Sequence, residues 1–133
     1  MSNEHPARAA SERSMDAVHK KDKQAWLDNF ADDAVVEDPI GVSALDPTGK
    51  GQSGKEAISK FWDAQIGPNR VMFNIHASYA AGDEVANVGT ITVVMDGGLT
   101  TLVDGVFTYR VNAAGKLASL RAYWEPDKLK IFA

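Results

Sequence analysis

The second half of the chain alternates between apolar strand patterns and short turns, and this pattern limits the possible folds more than any other feature. Strands are predicted over residues 71–79, 85–95, 99–111 and 117–125. The segments between them are rich in turn-forming residues and cover residues 81–84, 96–98 (DGG) and 112–116 (NAAGK). Because short turns join antiparallel neighbours, we predict an antiparallel sheet.

The first half is mainly helical. Helices are predicted over residues 6–21, 23–31 and 53–67, with Asp22 as the N-cap of the second helix. Ser53 and Glu56 have the spacing of a capping box at the start of the third helix. Asp32 and Asp33 are interpreted as a turn, which is followed by a strand over residues 35–37 and a loop over residues 41–52.

Helices that precede a run of strands predict an α+β fold in a single domain over residues 1–133. Three N-terminal helices packed on a curved antiparallel sheet would enclose a cone with an open mouth, a shape that suits a buried small-molecule pocket. Alternation along the last two strands predicts which side chains face the interior: Val103, Gly105, Phe107, Tyr109 and Val111, then Ala118, Leu120, Ala122 and Trp124. The opposite face is mixed in polarity, so we expect a homodimer that forms through the sheet.

Composition excludes several classes of function. With a net charge of −4 and a pI near 5.3, neither nucleic acid nor an anionic membrane surface is expected as a partner. The chain has no cysteine, which excludes disulfides and thiolate sites and fits a cytoplasmic location. No secretory signal and no apolar run of about 18 residues is present, so no membrane span is expected.

The histidines and glycines give no sign of a metal or cofactor site. His5 is assigned to a mobile terminus, His19 to a solvated helix face and His76 to a structural position in a strand. No set of side chains has metal-ligand spacing, and the glycine pairs lack the strand–turn–helix context of a phosphate loop. We therefore expect neither metal nor cofactor.

Residues 30–41, FADDAVVEDPIG, contain the main candidate for chemistry. Asp38 follows Val35, Val36 and Glu37 and precedes Pro39, which favours extended backbone before it and cannot donate to a sheet ladder. Asp38 is thus predicted at the end of a strand. A carboxylate held there by stiff neighbours can point into a pocket at low entropic cost.

This segment resembles the ketosteroid isomerase family of the nuclear-transport-factor-two-like (SnoaL-like) superfamily. The similarity extends to GKEAISKFW in the third helix and YRVNAAGKLASLRAYW in the last two strands. The resemblance implies a cone-shaped, cystatin-like fold and Asp38 as the general base that moves a proton between two carbons of a ketone. The two oxyanion-donor positions of the family fall at Ser14 and Phe107, and its supporting tyrosines fall near Phe30 and Trp62.

The resemblance also implies an apolar pocket for a steroid or similar ketone. The expected substrate-binding residues are Ser14, Val18, Phe30, Phe61, Trp62, Phe107, Tyr109, Ala122 and Trp124. Three groups could replace the missing oxyanion donors: Ser14 through a water, the phenol of Tyr109, or the indole of Trp62. Asp104 is expected on the opposite face of its strand. The long loop between Gly41 and Gly54 is expected to cover the pocket mouth or alter substrate choice.

Three functions remain open. The first is a steroid Δ-isomerase that uses Asp38, and the second is a steroid or hydrophobic-ligand binding protein without catalysis. The second is motivated by Ser14 and Phe107, which replace both oxyanion donors. A third is a lyase, cyclase or epoxide hydrolase of the same superfamily, which an interior Asp104 or His76 would favour.

Overall fold

The computed structural model describes residues 4–133. Its α-helices are α1 (Pro6–Lys20), α2 (Lys23–Asp28) and α3 (Gly54–Phe61), and a π-helical turn (Trp62–Ile66) continues α3. Its strands are β1 (Phe30–Glu37), β2 (Gln52–Ser53), β3 (Arg70–Ala81), β4 (Glu84–Val94), β5 (Thr100–Val111), β6 (Leu117–Tyr123) and β7 (Lys130–Phe132). A short 3₁₀ turn, Pro126–Lys128, precedes β7.

The strands form one sheet in the order β2-β1-β6-β5-β4-β3, and β7 also pairs with β5. The predicted α+β class with three helices on a curved sheet is confirmed, but the sheet is mixed rather than antiparallel. The exception is the parallel pair of β1 and β6, in which Val36 lies opposite Leu120 and Glu37 opposite Arg121. No turn connects these two strands, so the hairpin rule that predicted antiparallel neighbours does not apply to them.

Side chains or local geometry mark the start of each helix. The His5 imidazole accepts a hydrogen bond from the Ala7 N–H (3.1 Å) and lies 2.8 Å from the Gly82 carbonyl oxygen, which corrects the assignment of His5 to a mobile terminus. Asp22 caps α2 as predicted, since it accepts from the Ala25 N–H at 3.1 Å. Ser53 occupies the N-cap position of α3, but its side chain makes no capping hydrogen bond, so the predicted capping box is wrong.

Two boundaries near β1 also differ from the prediction. Helix α2 ends at Asp28, and Asp32 and Asp33 lie within β1 instead of a turn. Both aspartates are exposed, and the register between β1 and β6 shifts between Phe30 and Val35. This irregularity lets two polar residues lie in the strand with their side chains in solvent.

A second irregularity changes the inward face of β6. Val111 pairs with Leu117 and Arg110 pairs with Ser119, which leaves Ala118 as the extra residue of a bulge. Leu117 is consequently fully buried and Ala118 is not, so the prediction of Ala118 as an interior residue is wrong. The inward positions on β5 are as predicted, with Val103, Phe107, Tyr109 and Val111 all buried.

The C-terminal segment, residues 124–132, was not anticipated beyond the predicted last strand. β6 ends at Tyr123, and the chain then turns and returns to the sheet as β7. Thr101 of β5 pairs with Ile131, so β7 lies on the same edge of β5 as β6. We call residues 124–132 the C-terminal strap.

The core lies between the helices and the concave face of the sheet. Trp26 of α2 is at its centre: its ring lies 4.8 Å from the ring of Phe30 in a T-shaped contact and 5.2 Å from the ring of Trp62. Among residues 4–133, no helix is both long and apolar enough to cross a membrane.

Candidate functional site

The cone encloses a cavity of about 360 Å³ between the helices and the concave face of the sheet. The volume is near the lower end of the range of about 300–1,000 Å³ in which proteins enclose small molecules. The wall is mostly apolar, and Asp38 is its one carboxylate within the described range. A carboxylate in such a wall is a candidate for chemistry because burial changes its proton affinity.

Asp38 lies where the chain leaves β1, as the sequence predicts. Its Oδ1 accepts a hydrogen bond from the indole Nε1–H of Trp124 at 2.6 Å. Burial raises the pKa of Asp38 above its ordinary value, because a desolvated carboxylate is less stable than the neutral acid. The hydrogen bond from Trp124 acts in the opposite direction, since it stabilises the ionised form. A carboxylate with a raised pKa is a stronger base once ionised.

Tyr109 is the second polar group in the deep part of the cavity. It is 3% exposed, it lines the cavity, and its hydroxyl makes no hydrogen bond with any other residue in 4–133. Burial, followed by the negative charge of Asp38, raises the pKa of Tyr109 above its ordinary value. The phenol therefore stays protonated and can donate a hydrogen bond to a ligand that also contacts Asp38.

Ser14 and Phe107 occupy the two positions assigned to oxyanion donors. Both line the cavity and both are nearly inaccessible to bulk solvent. The Ser14 hydroxyl has no hydrogen-bond partner within the described chain, whereas Phe107 presents only an apolar ring. Of the three substitute donors considered from the sequence, Ser14 and Tyr109 are on the cavity wall and Trp62 is not.

The structure brings together most of the predicted binding residues. Val18, Phe61 and Trp124 line the cavity beside Ser14, Phe107 and Tyr109, but Phe30, Trp62 and Ala122 lie outside its wall. Phe30 and Trp62 pack behind Trp26, which takes the place expected for them. Ala122 lies opposite Phe107 and is fully buried in the core on the concave face, as predicted, but it does not reach the cavity wall, and its carbonyl accepts from the Ile40 N–H at 3.0 Å.

Several wall residues were missed at the sequence level. Most of them are apolar residues on strands whose alternation was recognised but whose inward face was not assigned: Val71, Phe73, Ile91 and Val93. Alternation in β3 and β4 was the available signal, because Val71 and Phe73 are two positions apart, as are Ile91 and Val93. Trp26 of α2 is a further wall residue that was not predicted.

Two segments outside the regular sheet complete the rim of the cavity. Ser43, Ala44 and Leu45 line it from the loop that follows β1, which supports the expectation that this loop covers the mouth. Pro126 and Leu129 line it from the C-terminal strap. Both rim segments therefore contribute to the size and shape of the entrance.

Asp46 organises the loop. Its carboxylate accepts hydrogen bonds from the Thr48 hydroxyl (2.6 Å), the Thr48 N–H (3.2 Å) and the Gly51 N–H (2.7 Å). These bonds, that of the Thr48 hydroxyl above all, lower the pKa of Asp46 below its ordinary value. The ionised Asp46 thus stabilises the loop in the conformation that places Leu45 against the cavity.

His76 and Asp104 lie on the opposite face of the sheet. Both border an open hollow of about 810 Å³ whose floor includes Gly89 and Gly105, and Asp104 accepts from the Thr90 hydroxyl at 2.5 Å. The predicted outward direction of Asp104 is confirmed. No group of three or more potential metal ligands occurs in residues 4–133.

Comparison with known proteins agrees with this fold and site. Residues 11–120 match the SnoaL-like domain family. Steroid Delta-isomerase of Nocardioides simplex is 27% identical over 124 residues, which are 93% of this chain and 94% of that protein. Δ5-3-ketosteroid isomerase from Mycobacterium sp. superposes with a TM-score of 0.94 at 39% identity, covering 97% of this chain and 100% of that chain.

A complex of a similar protein is also known. RV0760c from Mycobacterium tuberculosis, crystallised with estradiol-17beta-hemisuccinate, is 41% identical, with 96% of this chain and 99% of that chain covered and a TM-score of 0.92. The epoxide hydrolase/cyclase-like enzyme SalBIII shares the fold, with a TM-score of 0.82 at 18% identity.

The chain belongs to the SnoaL-like domain family. Within that family it is similar to ketosteroid isomerases, as the sequence motifs predict.

Proposed function

We propose that this protein is a ketosteroid isomerase-like enzyme in which Asp38 moves a proton between two carbons of an apolar ketone. The observation that supports this most directly is the placement of Asp38 on the wall of an apolar cavity, held by the Trp124 indole. A lone carboxylate with a raised pKa suits proton abstraction beside a carbonyl better than it suits ion binding.

The reaction needs no group outside the chain. Ionised Asp38 takes a proton from the carbon between the ketone and the double bond, and the electrons of that C–H bond form a dienolate. The resulting Asp38 carboxylic acid returns the proton to the carbon at the far end of the dienolate. The double bond is then conjugated with the ketone, and Asp38 is again ionised.

Tyr109 is the best candidate to stabilise the dienolate oxygen. Its phenol is neutral, faces the cavity and is close enough to Asp38 for the charge of Asp38 to raise its pKa. A donor of this kind typically contributes about 3–4 kcal/mol to the barrier reduction. Ser14 can add a second, weaker donor, directly or through a water.

The test is isomerisation of a Δ5-3-keto steroid, followed by the ultraviolet absorbance of the conjugated product. Asp38→Asn keeps the size of the side chain and the acceptor for Trp124 but removes the base, so turnover should fall by about 10²–10⁴-fold. Asp32→Asn, an exposed position of the same strand, is the matched control and should retain full turnover. Equal rates for wild type and Asp38→Asn would overturn the proposal.

A steroid or hydrophobic-ligand binding protein is the second candidate, and Phe107 is the observation that favours it. An apolar ring stands where the family places an oxyanion donor, so the wall binds rings well but stabilises charge with fewer groups. In this case a 3-keto steroid would quench tryptophan fluorescence, because Trp26 and Trp124 line the cavity, while isomerisation would be undetectable in both wild type and Asp38→Asn.

A cyclase or epoxide hydrolase is not favoured by this arrangement. An interior Asp104 or His76 would favour such an enzyme, but both side chains border the outer hollow. The structural similarity to the epoxide hydrolase/cyclase-like enzyme supports the fold, but at 18% identity it supports no particular chemistry.

Homodimerisation through the sheet is part of the same proposal. The outer hollow contains residues of both charges, including Asp104, Glu125 and Lys128, and Tyr123 beside them is half exposed. A mixed surface of this kind can be self-complementary across a two-fold axis. Sedimentation at micromolar concentration should give twice the chain mass, and a monomer mass would exclude the dimer. The cytoplasm remains the compartment predicted from the cysteine-free sequence.

A further inference from the structure

Polar side chains also line the cavity toward the end of β5 that is opposite to Tyr109. Thr101, Gln65 and Asn69 are all part of a wall that is otherwise mostly apolar there. Val71, Val93 and Thr101 lie in register across β3, β4 and β5, and Asn69 is two residues before Val71. Asn69 therefore lies at the same end of these neighbouring strands as Thr101.

Thr101 is the most informative member of this group. It is 7% exposed, and alternation along β5 turns it to the same face as Val103, Phe107 and Tyr109. Its hydroxyl forms no hydrogen bond with other side chains or backbone groups of residues 4–133. Because Thr101 lines the cavity, its hydroxyl is available to hydrogen-bond a ligand or a water there.

Gln65 and Asn69 add adaptable polar groups. The Asn69 Nδ2 donates to the Gln65 backbone carbonyl at 2.9 Å, which holds the end of the π-helical turn against the start of β3. The Gln65 side-chain amide has no hydrogen-bond partner in the described chain and remains available to a ligand. Hydroxyl and amide groups together can bind either a donor or an acceptor.

Thr101 lies toward the start of β5 and Tyr109 toward its end, and both line the cavity from the concave face. Thr101 and Phe107 are six residues apart on β5, which corresponds to roughly 20 Å of extended strand at about 3.3 Å per residue, and curvature shortens this. The wall between them is lined by Val103, Ile91 and Val93. A rigid, elongated, apolar ligand fits this arrangement if each end carries an oxygen.

We propose that Thr101, with Gln65, forms a specificity subsite that binds an oxygen substituent at the end of the ligand opposite the ketone. This inference rests on the proposed function, because it assumes that the ketone binds near Asp38 and Tyr109. The favoured ligand class is a compact ring system with a hydroxyl or carbonyl at its far end. A purely apolar alkyl substituent at that end would make no hydrogen bond with Thr101.

The test compares two probes that differ only in this oxygen: a 3-keto steroid with a 17-hydroxyl, and the same steroid without it. Dissociation constants are measured by quenching of tryptophan fluorescence. Wild type should bind the hydroxylated probe roughly 3- to 10-fold more tightly, the range of one neutral hydrogen bond. Thr101→Val, which keeps the shape of the side chain, should remove this preference and leave the affinity for the other probe unchanged.

Thr92→Val is the matched control, because Thr92 is on β4 between the wall residues Ile91 and Val93 and so faces away from the cavity. It should keep the wild-type preference. Gln65→Leu gives an independent second test and should weaken binding of the hydroxylated probe alone. Equal affinities of wild type for the two probes would overturn the subsite and leave steroid binding intact. Binding of neither probe would overturn the proposed function and the subsite with it.

Discussion

Asp38 and Trp124 leave two parallel strands at the same end of the sheet, and their side chains join in a 2.6 Å hydrogen bond. The position of each residue depends on its own strand, since Glu37 of β1 lies opposite Arg121 of β6. The Arg121 Nε also donates to the Glu37 carboxylate at 2.8 Å, which joins the two strands one residue before Asp38. The parallel pair therefore sets the geometry of the candidate base.

Replacing Trp124 should change the pH dependence of catalysis. The indole N–H stabilises the ionised form of Asp38, so its loss in Trp124→Phe should raise the pKa of Asp38 further. Because the base acts only when it is ionised, the fall of kcat/KM on acidification should begin at a higher pH than in wild type. Trp62→Phe makes the same chemical change outside the cavity wall and should leave the pH profile in place. A Trp124→Phe profile identical to wild type would contradict this role.

Removing the Tyr109 hydroxyl should lower turnover without unfolding the protein. Tyr109→Phe keeps the buried ring and breaks no hydrogen bond within the described chain, so the free energy of unfolding should change little. The rate of isomerisation should fall by about 10²–10³-fold if the phenol stabilises the dienolate. Tyr123→Phe, on the exposed outer face, is the control and should be neutral. A loss of less than about threefold would assign the oxyanion role to another group, with Ser14 the next to test.

Asp46 should make the stability of the loop depend on pH in the acidic range. Its pKa is lowered in the folded protein from an ordinary value of 3.8, so its contribution is fully present above pH 3.8 and is lost as the pH falls through the folded-state pKa. Asp46→Asn should therefore destabilise the protein at neutral pH, and the difference from wild type should shrink in strong acid. Urea unfolding of both proteins at neutral pH and in strong acid measures this difference in stability. Asp33→Asn, an exposed position of β1, should show no such change, and a pH-independent effect of Asp46→Asn would refute the explanation.

Gly89 should not tolerate a side chain. A Cβ at this position would lie 2.2 Å from the Asn74 carbonyl oxygen and 2.9 Å from the Ile75 Cα, both of which are backbone atoms of β3. Gly89→Ala should therefore cost about 1–3 kcal/mol in the free energy of unfolding, as overpacking does elsewhere. Gly67→Ala is the control, since its nearest atoms are at 3.4 Å and its φ is helical. Chemical denaturation of both variants gives the comparison, and equal stability of Gly89→Ala and wild type would show that the strands can shift.

Local sequence rules were sufficient where a feature depends on neighbouring residues. Proline after Asp38 predicted the end of β1, and alternation predicted that Phe107 and Tyr109 share the concave face. The same rules failed where pairing between distant segments decides the outcome. The parallel pairing of β1 with β6 and the bulge at Ala118 both arise from strand register, which no single segment encodes.

The composition of the cavity wall also depends on contacts between distant segments, which local sequence rules do not predict. Phe30 and Trp62 are large and apolar and were expected on the wall, but both pack against Trp26, which lines the cavity while they do not. The order in which three aromatic rings stack depends on the relative position of α2 and α3. The three-residue strand β7 was missed because a segment so short carries little periodic signal.

The parallel pair of β1 and β6 has a consequence for how the protein folds. The hydrogen bond between Asp38 and Trp124 joins residues 86 positions apart, so the site cannot form within any local segment of the chain. Contacts of such long range form at a high entropic cost and tend to slow folding. Recovery of the proposed isomerase activity after dilution from denaturant should therefore coincide with the slowest recovery of tertiary structure, and this activity would serve as a kinetic probe of complete folding.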